Sequence, residues 1–223
     1  SDLLDTPPNI QYIGRSECNL TDAVALYVLL YQFKPKLIIN AAAYTAVDMA
    51  EIDSDEAFTV NTKAPEIMAK YAANYDATFL HYSTDYVFDG EKYGFYLEND
   101  MRNPLGVYGK SKAGGEEAIA KAFAKLANQL SSVGGQYAIL RTSWVYGDGA
   151  NFIGTILRLA KEREELKVIC DQYGVPTNTD WLAQVSLDLV LDSQAGLRKF
   201  TSGVYHTVLS GKTSWYELAV LAT

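Results

Sequence analysis

The 223-residue chain has little cysteine, with only Cys18 and Cys170. Two cysteines give no disulfide framework; they read as two buried thiols in a reducing compartment, with a single disulfide as the alternative. Histidine is equally scarce. His81 and His206 stand at no spacing with Cys, Asp or Glu that fits a metal site, so no metal is expected and both read as core residues. Basic charge is in short supply, 19 Lys and Arg against 27 Asp and Glu, for a net charge of −8. No concentrated Lys/Arg footprint exists for phosphate backbones, which argues against a nucleic-acid partner. The one charge-dense stretch, residues 158–165, mixes signs and reads as a solvated helix end. No apolar run is long enough to span a bilayer and no signal peptide is evident, so no membrane partner is expected and the cytoplasm is the default location.

What is present is an ordinary globular balance, 48% hydrophobic and 21% charged. Apolar runs alternate with helical patterns, which predicts an α/β fold, a doubly wound parallel sheet of Rossmann-like type. Strands are expected at 10–13, 36–40, 77–83, 137–142, 168–170 and 203–208. Helices are expected from Asp22 to about Phe33, from about Ser54 to Ala73, and from beyond Asn103-Pro104 to Gly134-Gly135. Further helices are expected at 151–165, 181–192 and 214–221. A core over 1–146 and a smaller mixed region over 147–223 follow. In such sheets ligands sit at the carboxyl ends of the strands, where Asn40, Thr84 and Thr142 fall.

Tyr108-Gly-Lys-Ser-Lys112 carries the most chemistry. A tyrosine and a lysine four residues apart share one helix face. An ammonium there would pull the phenol below its usual value of about 10. A phenol so tuned exchanges a proton with a carbonyl or an alcohol near neutral pH. Upstream, at the end of an apolar run, stands Tyr82-Ser-Thr-Asp-Tyr-Val-Phe88.

Asn40-Ala-Ala-Ala-Tyr-Thr-Ala-Val-Asp48, His81–Phe88, Tyr108–Lys112, Arg141-Thr-Ser-Trp-Val-Tyr146, Asn151-Phe152 and Asp171–Thr177 occur in that order. The series resembles the dTDP-4-dehydrorhamnose reductases, a family of extended short-chain dehydrogenase/reductases. The resemblance implies NADP or NAD as hydride donor and a nucleotide-sugar substrate reduced at C4, with 1–146 binding the dinucleotide and 147–223 mainly the sugar nucleotide. It implies Thr84, Tyr108 and Lys112 as the catalytic set. Asn19, Leu20, Ala43, Tyr44 and Thr45 would line the cofactor together with Tyr108 and Lys112. Thr84, Asp85, Tyr86, Trp144 and Asn151 would meet the substrate, and Asn61 would organise a proton relay. Asn151, Arg158, Gln172 and Thr177 are candidates for the anionic diphosphate side, where an arginine fork fits. Each has a bland alternative: turn-forming for Asp85, core for Trp144, helix-capping for Asn19, solvent-facing for Asn61. The family tends to dimerise, so a homodimer is among the expectations. The sequence departs from the family in lacking a G-x-x-G-x-x-G turn and in stopping at Thr223 inside a predicted helix, so an incomplete polypeptide is expected. A related nucleotide-sugar reductase or epimerase, or a non-catalytic regulatory subunit on the same fold, are the alternatives.

Overall fold

A computed structural model of the chain describes residues 10–129, 134–149 and 151–223. The loop expected over residues 1–9 lies outside them. The first half contains α1 (Ala23–Phe33), β1 (Leu37–Asn40), α2 (Val47–Ala50), α3 (Ser54–Phe58), α4 (Ala64–Asn74), β2 (Thr78–Thr84) and α5 (Val107–Gln129). Then come β3 (Gln136–Thr142), β4 (Val145–Tyr146), α6 (Phe152–Glu162), β5 (Tyr173–Gly174) and β6 (Thr177–Asn178). α7 (Thr179–Val190), β7 (Gly203–His206), β8 (Thr213–Ser214) and α8 (Trp215–Ala222) complete the chain.

The main sheet is all parallel, in the order β1-β2-β3-β7. Its central strands, β2 and β3, are buried on both faces, as helices packed on both sides require, while the edge strands β1 and β7 are only half-buried. Along β2, Phe79 joins Leu26 and Leu30 of α1, Met68 of α4, and Ile119 and Phe123 of α5 in one cluster. The alternate residue, Leu80, turns to the opposite face with Leu140 and Val190 of α7. Each fully buried side chain of this size contributes about 1.5–3 kcal/mol. The α/β class and its parallel sheet are thus as the sequence indicates. One strand from the later region, β7, returns to the main sheet beside β3.

The helix starts follow from local chemistry. Asp22 accepts from the amides of Val24 and Ala25, both at 3.0 Å. Ser214 and Glu217 cap α8 reciprocally. The helix expected from 54 to 73 is present as α3 and α4, joined without a gap by a π-helical turn over Thr59–Lys63 just ahead of Pro65, whose missing N–H cannot close an α-helical bond behind it. Two expectations fail. Residues 10–13 and 168–170 form no strand. Cys170 falls in the stretch without a strand and is exposed, so only Cys18 is a buried thiol; both are free.

Candidate active site

Strand register brings the functional residues to one edge. Thr84 lies opposite Thr142, so β2 and β3 end together, while β1 ends three residues earlier, with Asn40 opposite His81. After Thr84 the chain enters a 3₁₀ turn over Asp85–Val87, capped by the Thr84 hydroxyl, which accepts from Tyr86 N–H at 3.2 Å. The same hydroxyl donates to Asp85 Oδ1 at 3.0 Å.

Helix α5 presses against this turn. A Cβ on Gly109 would lie 2.2 Å from the Tyr86 carbonyl oxygen, so glycine is what lets the helix start this close. Its neighbour Tyr108 meets Tyr86 edge-on, with ring centroids 5.5 Å apart. One turn and a half later, a Cβ on Gly115 would lie 2.2 Å from the Asn61 carbonyl oxygen. The π-helical turn seats Asn61 between two elements. Its Nδ2 donates to Tyr44 O and Ser111 Oγ, each at 3.0 Å, and its Oδ1 accepts from Tyr44 N at 2.9 Å. Asn61 is buried, not solvent-facing, and ties the loop after β1 to α5.

The electrostatics differ from the sequence expectation. Burial pushes the Tyr108 phenol up to about 12; the Thr84 hydroxyl beside it works against that rise, and Asp85 and Tyr86 add to it. Lys112 does not pull it down. The lysine is 2% exposed, and its Nζ reaches across to donate to the Tyr82 carbonyl at 2.6 Å. Burial lowers Lys112 to about 8, against a smaller opposite effect of Glu116. Helical spacing puts both residues on one face, but burial of each governs its proton affinity. Burial also raises the Asp85 carboxyl, opposed by hydrogen bonds from Ser143 and Thr84.

The remaining expected residues divide. Ala43 and Thr45 stand on the open loop beyond β1. Tyr44 anchors it, its hydroxyl donating to Asp53 Oδ2 at 2.9 Å. Asn19 accepts from Thr21 N–H as a turn cap, and Leu20 packs on the core. Trp144 adopts a left-handed backbone (φ 44°) and stacks on Trp215 with centroids 3.6 Å apart. Gly174 crowds the same indole, since a Cβ there would lie 2.4 Å from Trp144 Cε2. Asn151 caps α6, accepting from Gly154 N–H at 2.9 Å and donating to the Gly147 carbonyl at 2.8 Å. Arg158 pairs with Glu162 one turn on, Gln172 is exposed, and Thr177 is fully buried. Among the described residues, no group of three His, Cys, Asp or Glu could hold a metal ion, and no helix is long and apolar enough to cross a membrane.

Sequence reasoning missed a buried ionic knot under the site. Glu116 accepts from Arg141 Nε at 2.9 Å, Arg141 Nη2 at 2.7 Å, Arg102 Nη1 at 3.1 Å and Ser83 Oγ at 2.6 Å. The readable signal was the alternation Phe79, His81, Ser83. Two polar residues at successive inward positions of a buried strand demand polar partners on the covering helix.

A family model described as the RmlD substrate binding domain matches residues 5–223. A dTDP-4-dehydrorhamnose reductase of Burkholderia thailandensis is 42% identical over 212 residues, 93% of this chain and 67% of that protein. The chain belongs to the dTDP-4-dehydrorhamnose reductase family. The Escherichia coli K12 member is 45% identical over 190 residues, 84% of this chain and 59% of its own length. A Bacillus anthracis member of the family, solved in complex with NADP, superposes with a TM-score of 0.80 at 33% identity, covering 94% of this chain and 69% of that one. The chain thus spans about three fifths to two thirds of the relatives it matches.

Proposed function

We propose that the protein reduces the C4 ketone of dTDP-4-dehydro-6-deoxy-L-mannose to dTDP-L-rhamnose, with NADPH or NADH as hydride donor. The observation that carries this is the pairing of Thr84 and Tyr108: a strand-end hydroxyl and a protonated phenol beside each other at the sheet's carboxyl edge. The family's names and the NADP-bound relative supply the substrate and cofactor class. The residues fit a bound nicotinamide nucleotide. Thr142 Oγ1, at the end of β3 next to Thr84, is a buried polar atom without a partner, and small residues beyond Asn40 leave the backbone open to approach.

A bound nicotinamide supplies the hydride. Thr84 Oγ turns its one hydrogen from Asp85 Oδ1 to the ketone oxygen and polarises it. Tyr108, held protonated at neutral pH, gives its proton to the oxygen as negative charge develops there. Lys112 meets the cofactor's ribose side, Ala43, Tyr44 and Thr45 line it, and Asp85 and Tyr86 face the sugar. Residues 147–223, with Trp144 and Asn151 at their edge, form the greater part of the sugar-nucleotide side, while β7 serves the main sheet. A cytoplasmic homodimer belongs to the same reading.

The test is loss of NADPH or NADH absorbance with the keto sugar made in situ. Stoichiometric oxidation, abolished in Tyr108→Phe, is expected. Epimerisation without net oxidation, or near-normal turnover in Tyr108→Phe, refutes it.

A further inference from the structure

One buried cluster beside the site joins Lys112 to two residues that have no task in this chemistry, Asn40 and His81. His81 is 0% exposed on β2, directly across from Asn40. The Ala42 amide donates to Asn40 Oδ1 at 3.2 Å. That leaves the Asn40 amide nitrogen, a donor only, 3.0 Å from His81 Nδ1. Nδ1 must accept, so a neutral ring carries its hydrogen on Nε2. Burial, and then the charge of Lys112, keep the ring neutral by holding it well below the ordinary histidine range. Nε2 stands 3.4 Å from Lys112 Nζ, which is anchored by its bond to the Tyr82 carbonyl.

We propose that His81, locked in one tautomer by Asn40, is a positioning residue for Lys112: its Nε2–H faces Nζ, disfavours the ammonium and favours the amine, whose lone pair accepts that hydrogen. The proposal rests on the reductase reading only in treating Lys112 as a site residue. The other groups around the lysine fit. Glu116, on the next turn of α5, favours the ammonium, but its carboxylate is shared with Arg141 of β3 and with Arg102. Glu51, just after α2, accepts from the Val107 amide at the start of α5, and Asp85 lies beside Tyr108. Burial lowers the lysine first, and His81 is the group in contact with Nζ that adds to it.

Two NMR measurements test this without reference to turnover. ¹⁵N shifts of labelled histidine in the wild-type protein should show the His81 hydrogen on Nε2. The ¹³Cε titration of Lys112, assigned by its loss in Lys112→Met, should move upward by about one pH unit, a tenfold change in proton affinity, in His81→Phe and in Asn40→Leu. Asn40→Leu adds no charge and frees the ring to turn its lone pair to the ammonium. A hydrogen found on Nδ1 in the wild type, or an unmoved Lys112 midpoint in folded Asn40→Leu, overturns the proposal. Should His81→Phe fail to fold, the wild-type tautomer and Asn40→Leu decide. Both measurements stand whether or not the keto sugar is turned over. If it is, the alkaline limb of the rate profile should move with the Lys112 midpoint.

Discussion

Replacing Lys112 by methionine should make the protein more stable while removing its activity. The lysine is 2% exposed and its amine is held at about 8 instead of the ordinary 10.5. Proton linkage at ~1.4 kcal/mol per pH unit makes that gap worth about 3 kcal/mol against the folded state at pH 7. The sign follows from the depressed folded value. Above 10.5 the lysine is neutral folded or unfolded and the penalty vanishes; as pH falls through 8 it is fully in place. Wild-type stability should therefore gain about 2 kcal/mol from this group between pH 7 and 9.5. Methionine keeps the apolar stem but strips the bond to the Tyr82 carbonyl, a loss of about 1–2 kcal/mol. The net expectation is a gain of about 1–2 kcal/mol at pH 7, read by urea denaturation, with the pH-dependent rise removed. A Lys112→Met protein less stable than wild type at pH 7, with an unchanged slope toward pH 9.5, refutes the reasoning.

Glu116→Gln should cost about 3–5 kcal/mol, because it leaves the 4%-exposed Arg141 guanidinium without its counter-charge; thermal melting measures it. Gly109→Ala forces a Cβ against the Tyr86 carbonyl and should cost about 1–3 kcal/mol, with a fall in kcat as Tyr108 is pushed from Thr84. Asn61→Leu strands the Tyr44 backbone groups and should raise the KM for cofactor more than it lowers kcat, measured by steady-state kinetics at saturating sugar.

Where local chemistry decides, the sequence was readable. Asp22 and Ser214 cap helices because their short oxygens reach the free amides, and β2 and β3 are strands because their apolar runs suit burial on both faces. Thr84 and Tyr108 were placed by the same logic together with family resemblance. Tertiary context decided the rest. The apolar residues at 10–13 find no strand partner, and Pro65 forces the turn that buries Asn61. Spacing alone put Tyr108 under the influence of Lys112. It could not show that a four-carbon stem would carry the amine to the Tyr82 carbonyl, nor that β7 would come back to the main sheet.

Gly109 and Gly115 let main chain touch main chain where α5 meets the 3₁₀ turn and the π-helical turn. Backbone seats cannot be remodelled by exchanging one side chain for another. Lineages carrying this scaffold are thus free to vary the apolar filling around Ile119 and Phe123 while the phenol's address stays put. The penalty falls on the glycines themselves, where any side chain must displace main chain, so drift in this helix should be lopsided, permissive along its core stripe and slow at two residues that carry no side chain.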